Sequence, residues 1–396
     1  MAQSSTSWSN PALADPAGQP QAARPSWFQR YLLPGLAFKA LVIGGGYATG
    51  REVAEFFLPS GPWGGLAAIA LATLLFSLGC ALTFLFAQKT RSLDYQSFFK
   101  ALLGPGWVAW EITYILFVIL ILAVYGAAAG EIGVALFGLP TLIGTLTLMA
   151  GIIAAVMFGN KSVERLFEWV SYLLYGVYVV FFGLAFTTFG GRIAEAFATP
   201  AASAGWAVSG ATYFSYNIIG AIVVLPVVRH LTSRRDAIVA GAICGPLTML
   251  PALLFFMAAV AFYPQVADAT LPSDYLLQRL GVPIFHFLFQ LMVFSALLES
   301  GASAVHAFNE RVDKAWQRHR GASLGPRQRF GLALVLLMLC MFLASAVGLV
   351  DLIGSGYRAL AYILLAIYVL PLATIGLARV LKKPNGGDDD VPQTAS

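Results

Sequence analysis

The sequence predicts an all-α integral membrane protein that crosses the bilayer many times. Hydrophobic residues make up 59% of the 396 residues and charged residues only 11%, and the mean hydropathy is +0.77. A soluble chain carries about 25% charged residues, because its surface must face water. Two further observations agree with this fold class: the apolar residues fall into runs long enough to span a bilayer, and the basic residues alternate between the two ends of these runs.

The apolar runs predict ten transmembrane helices, since a spanning helix needs about 20 mostly apolar residues. The predicted spans are 33–58, 64–88, 107–137, 139–158, 163–189, 205–228, 236–262, 283–309, 327–348 and 353–378. They form a single transmembrane domain over residues 31–380. Residues 1–30 and the acidic stretch 381–396 are polar, and we predict that both are disordered tails.

The basic residues test the number of spans, because Lys and Arg are enriched in cytoplasmic loops. With ten spans, Arg192 and Arg279 are the only Lys or Arg residues of the loops and tails that lie on one side of the membrane. The other side receives Arg24, Arg30, Lys89, Arg91, Lys100, Lys161, Arg165, Arg229, Arg234, Arg235, Arg311, Lys314, Arg318, Arg320, Arg327, Arg329, Arg379, Lys382 and Lys383. Both termini are therefore predicted to be cytoplasmic. Because the basic residues are spread over short loops, the pI of about 9.1 does not indicate a nucleic-acid partner.

The first span contains a glycine-rich run in its middle, Gly44-Gly45-Gly46-Tyr47-Ala48-Thr49-Gly50. Each glycine in a helix costs about 1 kcal/mol relative to alanine. An unwound segment inside a membrane persists only where protein, water or a ligand satisfies its backbone. The run therefore predicts a break at a binding site. The alternative is that the glycines allow close helix packing.

The sixth span carries a second irregular stretch, from Gly210 to Asn217, followed by Gly220 and Pro226. Asn217 lies at mid-depth, where it either forms an interhelical hydrogen bond or contacts a ligand. The interrupted spans are the first and the sixth of ten, so each begins a set of five helices. An odd number of helices inverts the second set relative to the first. This pattern predicts an inverted-repeat transporter, with repeats at about 33–189 and 205–378.

The residues from Gly44 to Val53 resemble the glycine-rich first helix of the YkvI-type bacterial membrane proteins. The resemblance continues at Tyr216-Asn217, Glu299-Ser300-Gly301 and Asn309-Glu310-Arg311, and so extends over most of the chain. These proteins resemble distant relatives of the amino acid–polyamine–organocation superfamily, which shares the LeuT fold. The resemblance implies a secondary transporter of the bacterial inner membrane that moves an amino acid or a related small solute with sodium or protons.

Members of this fold bind substrate between the broken first and sixth helices, and many hold a sodium ion against hydroxyl groups of the eighth. By this resemblance, the substrate-site candidates are Gly44, Gly46, Tyr47, Thr49, Tyr213 and Asn217. The sodium-site candidates are Ser300 and Ser303, which lie on one helical face. The alternative is that these hydroxyls bond the backbone of their own helix. An anionic group of the substrate could bind the amides near Ala48 and Thr49.

Four charged residues are candidates for coupling or gating. Arg51 follows the glycine run and could form a gate with Asp351 or Glu131; the alternative is a pair with Glu55 on its own helix. Glu131 and Glu299 lie within apolar spans, where ionisable groups indicate function, so either could carry a proton. The fifth span contains no lysine, which in this superfamily favours sodium.

A channel or receptor and a membrane-embedded enzyme are the alternatives to a transporter. Paired broken helices favour alternating access over an open pore. The chain has neither H-E-x-x-H nor G-x-S-x-G, so we predict no catalytic residues and no cofactor beyond a sodium ion. The expected partners are a small-molecule substrate and membrane lipid. Substrate identity, transport direction, stoichiometry and oligomeric state do not follow from the sequence.

Overall fold

A computed structural model of the chain describes residues 25–43, 45–158, 161–199 and 203–382, with only the backbone described at 45–46, 158 and 161–173. Most of the two predicted tails and the candidate Gly44 lie outside these residues. The described residues are helical almost throughout and contain no strand. Helical structure already begins at Phe28, in a short π-helix that runs to Leu32.

The α-helices of the described residues follow one another along the chain. They are α1 (Leu33–Val42), α2 (Gly45–Ala48), α3 (Arg51–Phe56), α4 (Gly61–Thr90), α5 (Tyr95–Leu103), α6 (Val108–Phe137), α7 (Thr141–Phe158), α8 (Lys161–Ala198), α9 (Trp206–Asn217), α10 (Ile219–Val223), α11 (Arg234–Val260), α12 (Pro272–Leu280), α13 (Pro283–Arg320), α14 (Pro326–Val347), α15 (Leu349–Asp351), α16 (Tyr357–Leu364) and α17 (Leu377–Leu381).

Within the described residues, seven helices are long and apolar enough to cross a membrane. They correspond to the second, third, fifth, seventh, eighth, ninth and tenth predicted spans. The fourth corresponds to a shorter apolar helix, Thr141–Met157. The first and sixth spans are divided into short helices, so neither reaches spanning length as one element. The chain is a multi-pass helical membrane protein, and the number ten stays a prediction.

Helices α4 and α11 pack closely because small residues lie where they cross. A Cβ atom added to Gly241 would lie 2.3 Å from the Ala81 Cα and backbone nitrogen, and one added to Gly245 would lie 2.2 Å from the Thr73 carbonyl oxygen. Ser77 also donates a hydrogen bond to the Ala242 carbonyl at 2.9 Å. Without a hydrophobic driving force between helices in lipid, such close backbone approach is a main source of stability.

The basic loops meet at one end of the helix bundle, which we call the basic end. Arg30 pairs with Asp236 there, and the side chain of Arg318 donates to Gln96 at 2.9 Å. The opposite end is marked by a hydrogen bond from Trp63 to the Phe197 carbonyl at 3.1 Å. The fold thus brings together loops that the alternation of charges assigned to one side.

Asp236 holds the basic end together, because its carboxylate accepts hydrogen bonds from several segments. Arg30 donates to it at 2.6 and 3.0 Å, Tyr31 at 3.0 Å, and the backbone of Thr232 at 2.8 Å. With Ser233 it also forms a capping box at the start of α11. The carboxylate is buried, so its loss leaves several donors without a partner.

We expect Asp236→Ala to lower the stability of the protein by about 2–3 kcal/mol, since removing one partner of a buried network leaves the others unsatisfied. The measurement is the apparent Tm of the protein purified in detergent. Asp94→Ala is the matched control, because Asp94 caps α5 through two backbone amides at an exposed site and its loss should cost only about 1 kcal/mol. An equal loss of Tm in both variants would contradict this role of Asp236.

Candidate functional site

The first span is interrupted on both sides of α2. Helix α1 ends at Val42, and Ile43 has a ψ of 63°, which is not helical. Gly50 then has a φ of +77°, a left-handed conformation that favours glycine, and α3 begins at Arg51. The predicted break in the glycine run is therefore present, with non-helical backbone at Ile43 and at Gly50.

The sixth span is interrupted less sharply. Helix α9 ends at Asn217, one residue separates it from α10, and a 3-10 helix continues from Leu225 to His230. Asn217 donates its side-chain amide to the Tyr213 carbonyl of its own helix at 3.2 Å. The two interrupted spans pack against each other, because the ring of Phe57, directly after α3, lies 4.8 Å from that of Tyr213 in α9.

A cavity of about 320 Å³ lies between the broken helices, α6, α13 and α16. This volume is at the lower end of the range of small-molecule sites. Its wall is largely apolar, with polar side chains contributed by each of these segments. The polar residues of the wall are Tyr47, Glu52, Tyr114, Tyr125, Tyr216, Asn217, Glu299, Ser300, Ser303 and Tyr357.

Glu52 is a buried acidic residue of the cavity wall that is not among the site residues predicted from the sequence. It is only 5% exposed. The Tyr216 hydroxyl donates to its Oε2 at 2.6 Å, which joins α3 to α9 across the two breaks. No Lys or Arg of the described structure forms an ion pair with it. The signal for it in the sequence is a charged residue directly after a glycine break in an apolar span, which Glu52 shares with its neighbour Arg51.

The substrate-site candidates divide into two groups. Tyr47 and Asn217 line the cavity. Gly46 belongs to α2 and precedes Tyr47 in the chain. Tyr213 and Thr49 are buried elsewhere. Tyr213 packs among the rings of α3 and α9, and the Thr49 carbonyl accepts a hydrogen bond from the Ser273 amide at 3.0 Å.

Both sodium-site candidates line the same cavity, together with Glu299. The alternative for these serines was a bond to the backbone of their own helix. Ser295 forms such a bond, to the Leu291 carbonyl at 2.8 Å. Within the described part of the chain, no corresponding backbone bond is found for Ser300 or Ser303.

Arg51 and Glu55 form a cluster with residues far away in the sequence. Arg51 Nη2 lies 2.9 Å from Glu55 Oε2, and Arg358 Nη2 lies 3.1 Å from Glu55 Oε1. Arg51 Nη1 also donates to the carbonyls of Ala267 and Ala269, at 2.8 and 3.0 Å. We call these five residues the Arg51 cluster. It joins α3 to α16 and to the loop before α12.

Neither predicted acidic partner of Arg51 belongs to this cluster. Asp351 is exposed at the end of α15, and Glu131 is half-buried in α6; among the described residues, no ion pair joins either of them to Arg51. The pair with Glu55, considered as the alternative, is the one that forms. The tenth span nevertheless takes part, through Arg358 rather than Asp351.

The cavity extends from Glu52 towards the basic end. Arg311 and Glu111 pair at 3.0 Å at that end of α13 and α6. Tyr114 and Ala307, which line the cavity, are each within about one turn of this pair. The Arg51 cluster lies on the other side of Glu52, where it joins α3 to the loop before α12. The cavity therefore reaches from Glu52 towards the basic end, and the Arg51 cluster lies on the side away from that end.

No family model matches the chain. It is similar to an uncharacterised membrane protein, YkvI, of Bacillus subtilis (strain 168), with 23% identity over 327 residues, which cover 82% of this chain and 90% of that protein. Among solved structures, it is similar to a substrate-bound, outward-open Na+-coupled sialic acid symporter, with a TM-score of 0.56 and 15% identity. That match covers 90% of this chain and 82% of the symporter. The chain has the LeuT fold.

Two further LeuT-fold structures are similar to the chain. MhsT in complex with L-phenylalanine has a TM-score of 0.53 and 17% identity, covering 90% of this chain and 97% of MhsT. A manganese transporter of Eremococcus coleocola has a TM-score of 0.52 and 12% identity, covering 88% and 83% of the two chains. The expected relation to YkvI and to the LeuT fold is thus confirmed.

Proposed function

We propose that this LeuT-fold protein is a secondary transporter that moves a small solute by alternating access. The observation that supports this most directly is the cavity between the broken helices, which extends towards the basic end and has the Arg51 cluster on its other side. In transporters built from inverted repeats, the solute binds between broken helices near the middle of the membrane, and the two sides of this site open in turn. We propose that the basic end faces the cytoplasm of a bacterial cell and that the Arg51 cluster closes the cavity on the other side.

We further propose that binding is coupled to an ion through the eighth span. Ser300 and Ser303 present hydroxyl oxygens, which suit a hard cation such as sodium, in the same cavity that would hold the solute. Similarity to a Na+-coupled symporter supports sodium. Proton coupling through Glu299 or Glu131 is the alternative. An amino acid or a related compound fits the cavity volume of about 320 Å³.

Thermal stabilisation of the purified protein by a panel of small metabolites, in sodium or potassium at matched ionic strength, tests this function. A solute that binds only the native state stabilises it by about 2.7 kcal/mol at 100 times its Kd. We expect one class of solute to raise the apparent Tm, and to do so more strongly in sodium. Uptake of the same solute into proteoliposomes should then depend on a sodium gradient.

Ser303→Ala should remove the sodium dependence of this stabilisation while the protein remains folded. Ser295→Ala is the matched control, because it removes a serine hydroxyl from the same helix that bonds its own backbone. If both variants keep the sodium effect, the sodium site lies elsewhere. If no solute stabilises a monodisperse protein in either salt, the transporter proposal is wrong.

A further inference from the structure

The charge of the cavity wall is entirely negative among the described residues. Glu52 and Glu299 line it, and no Lys, Arg or His does. A buried carboxylate without a positive partner is costly, because the low-dielectric surroundings do not replace its hydration. Glu52 is 5% exposed and receives one hydrogen bond, from Tyr216. A neutral hydroxyl donor does not balance its charge, so Glu52 is neutralised either by a proton or by a bound cation.

Aromatic rings surround Glu52 in a way that suits an organic cation. Tyr47, Tyr125, Tyr216 and Tyr357 line the same cavity, and the rings of Tyr216 and Tyr357 lie 4.6 Å apart. Aromatic faces attract positively charged groups through the ring quadrupole, and groups of rings recognise ammonium ligands. The same rings provide apolar area for the carbon atoms of such a ligand.

Tyr47 provides an independent indication that a polar ligand belongs in this cavity. It is 1% exposed and lines the cavity, yet its hydroxyl has no hydrogen-bond partner among the described residues. Buried hydroxyl groups are rarely left unsatisfied. A hydrogen-bonding group of a ligand bound beside Tyr47 would give this hydroxyl a partner.

An anionic group is poorly suited to the position near Ala48 and Thr49 that the sequence suggested for it. The Arg51 amide at the start of α3 already donates a hydrogen bond to the Thr49 hydroxyl at 3.2 Å, so this amide has a partner within the protein. Glu52 lies in the first turn of the same helix, so its carboxylate would repel an incoming anion.

We propose that the transported solute carries a positively charged nitrogen, as an amine or a quaternary ammonium group, with Glu52 as its counter-charge within the ring of tyrosines. This inference rests on the proposed transport function and specifies its substrate class. Glu52 binds the charge, the tyrosine faces contact the carbon atoms around the nitrogen, and Tyr47 bonds a polar group of the solute.

Matched ligands test the charge requirement on the unmodified protein. Choline and its neutral carbon analogue 3,3-dimethylbutan-1-ol have nearly the same shape and differ in charge, and ethanolamine and putrescine extend the set to smaller and longer amines. Binding is measured by thermal stabilisation and calorimetry on the full-length protein in nanodiscs. We expect at least one amine to bind, and the neutral alcohol to bind at least tenfold more weakly than choline or not at all. Equal binding of choline and the alcohol, or no binding of any amine, would overturn the proposal.

Glu52→Gln should weaken amine binding at least tenfold, whereas Tyr216→Phe, which removes the hydrogen bond and keeps the carboxylate, should weaken it only a few fold. A Glu52→Gln protein that loses sodium dependence but keeps its preference for amines would also overturn the assignment. If neutral or anionic solutes of the wider panel bind and are transported while amines do not, this inference fails and the transporter proposal stands. If no solute of any charge binds, both fail.

Discussion

Glu55→Gln is expected to open the protein at the Arg51 cluster. The Glu55 carboxylate forms ion pairs with Arg51 of its own helix and with Arg358 of α16, so one substitution weakens the link between α3 and α16 and leaves the buried Arg51 without its carboxylate partner. The side chain of Glu55 is 18% exposed and that of Arg51 only 7%, a burial at which ion pairs are screened less than at a free surface. We expect a shift of about 2 kcal/mol in favour of the state open at this side, which is roughly thirtyfold in population.

Thiol labelling measures this shift. Cys80, Cys244 and Cys340 are buried and are replaced by alanine, and Thr49→Cys then reports on access, because Thr49 is fully buried beside Arg51. A membrane-impermeant maleimide added at the side of the Arg51 cluster should label this cysteine slowly in the parent protein and at least tenfold faster with Glu55→Gln.

The control for this experiment is Glu310→Gln. It also removes a carboxylate from an arginine ion pair, but that pair, with Arg329, lies between α13 and α14 near the basic end and is more exposed. We expect no change in labelling of the cysteine at position 49. If the cysteine at position 49 is labelled at the same rate with Glu55→Gln as with Glu310→Gln, the Arg51 cluster does not close this side of the cavity.

Gly50→Ala is expected to be among the most destabilising substitutions in the chain. Gly50 has a φ of +77°, and the left-handed conformation costs an alanine about 1–2 kcal/mol. In addition, the new Cβ would lie 2.2 Å from Cζ of Phe255, a ring that is fully buried and stacked on Phe181. Overpacking of this kind costs about 1–3 kcal/mol. Together, these two effects give a loss of about 2–5 kcal/mol.

The yield of monodisperse protein and its half-life at elevated temperature measure this effect, since unfolding of large membrane proteins is commonly irreversible. Gly321→Ala is the matched control. Gly321 has a similar φ of +70° but no atom within 4 Å of the added Cβ, so it reports the backbone strain without the clash. A Gly50→Ala protein that is as stable as Gly321→Ala would show that Phe255 can move aside at little cost.

Much of the fold could be predicted because its determinants are local. The low charge content and the long apolar runs indicate membrane helices, since the transfer free energy of a segment depends mainly on its own side chains. The break between α1 and α3 could be predicted for the same reason, because the left-handed φ required at position 50 favours glycine. The break after Asn217 is milder, because a single residue separates α9 from α10, and a change this small has a weaker signal in the sequence.

The candidate site could be predicted only in part. Asn217, Ser300 and Ser303 line the cavity. Asn217 was indicated because a polar group is costly in lipid, and the two serines followed from the resemblance to sodium-binding members of the fold. Tyr213, which the same resemblance indicated, is instead packed among aromatic rings. The face of a helix on which a residue lies can be predicted from spacing, but the neighbour that its side chain meets cannot.

The sequence by itself determined that this protein is a polytopic helical membrane protein with a break in its first span, because composition and glycine spacing act over a few neighbouring residues. Only the tertiary structure decided which charges meet. Glu52 receives its hydrogen bond from Tyr216, 164 residues away, and Glu55 binds Arg358, 303 residues away. Ion pairs and hydrogen bonds act over a few ångströms, so they depend on which helices the fold brings together. The residues next to Glu52 in the sequence do not determine which helix that is.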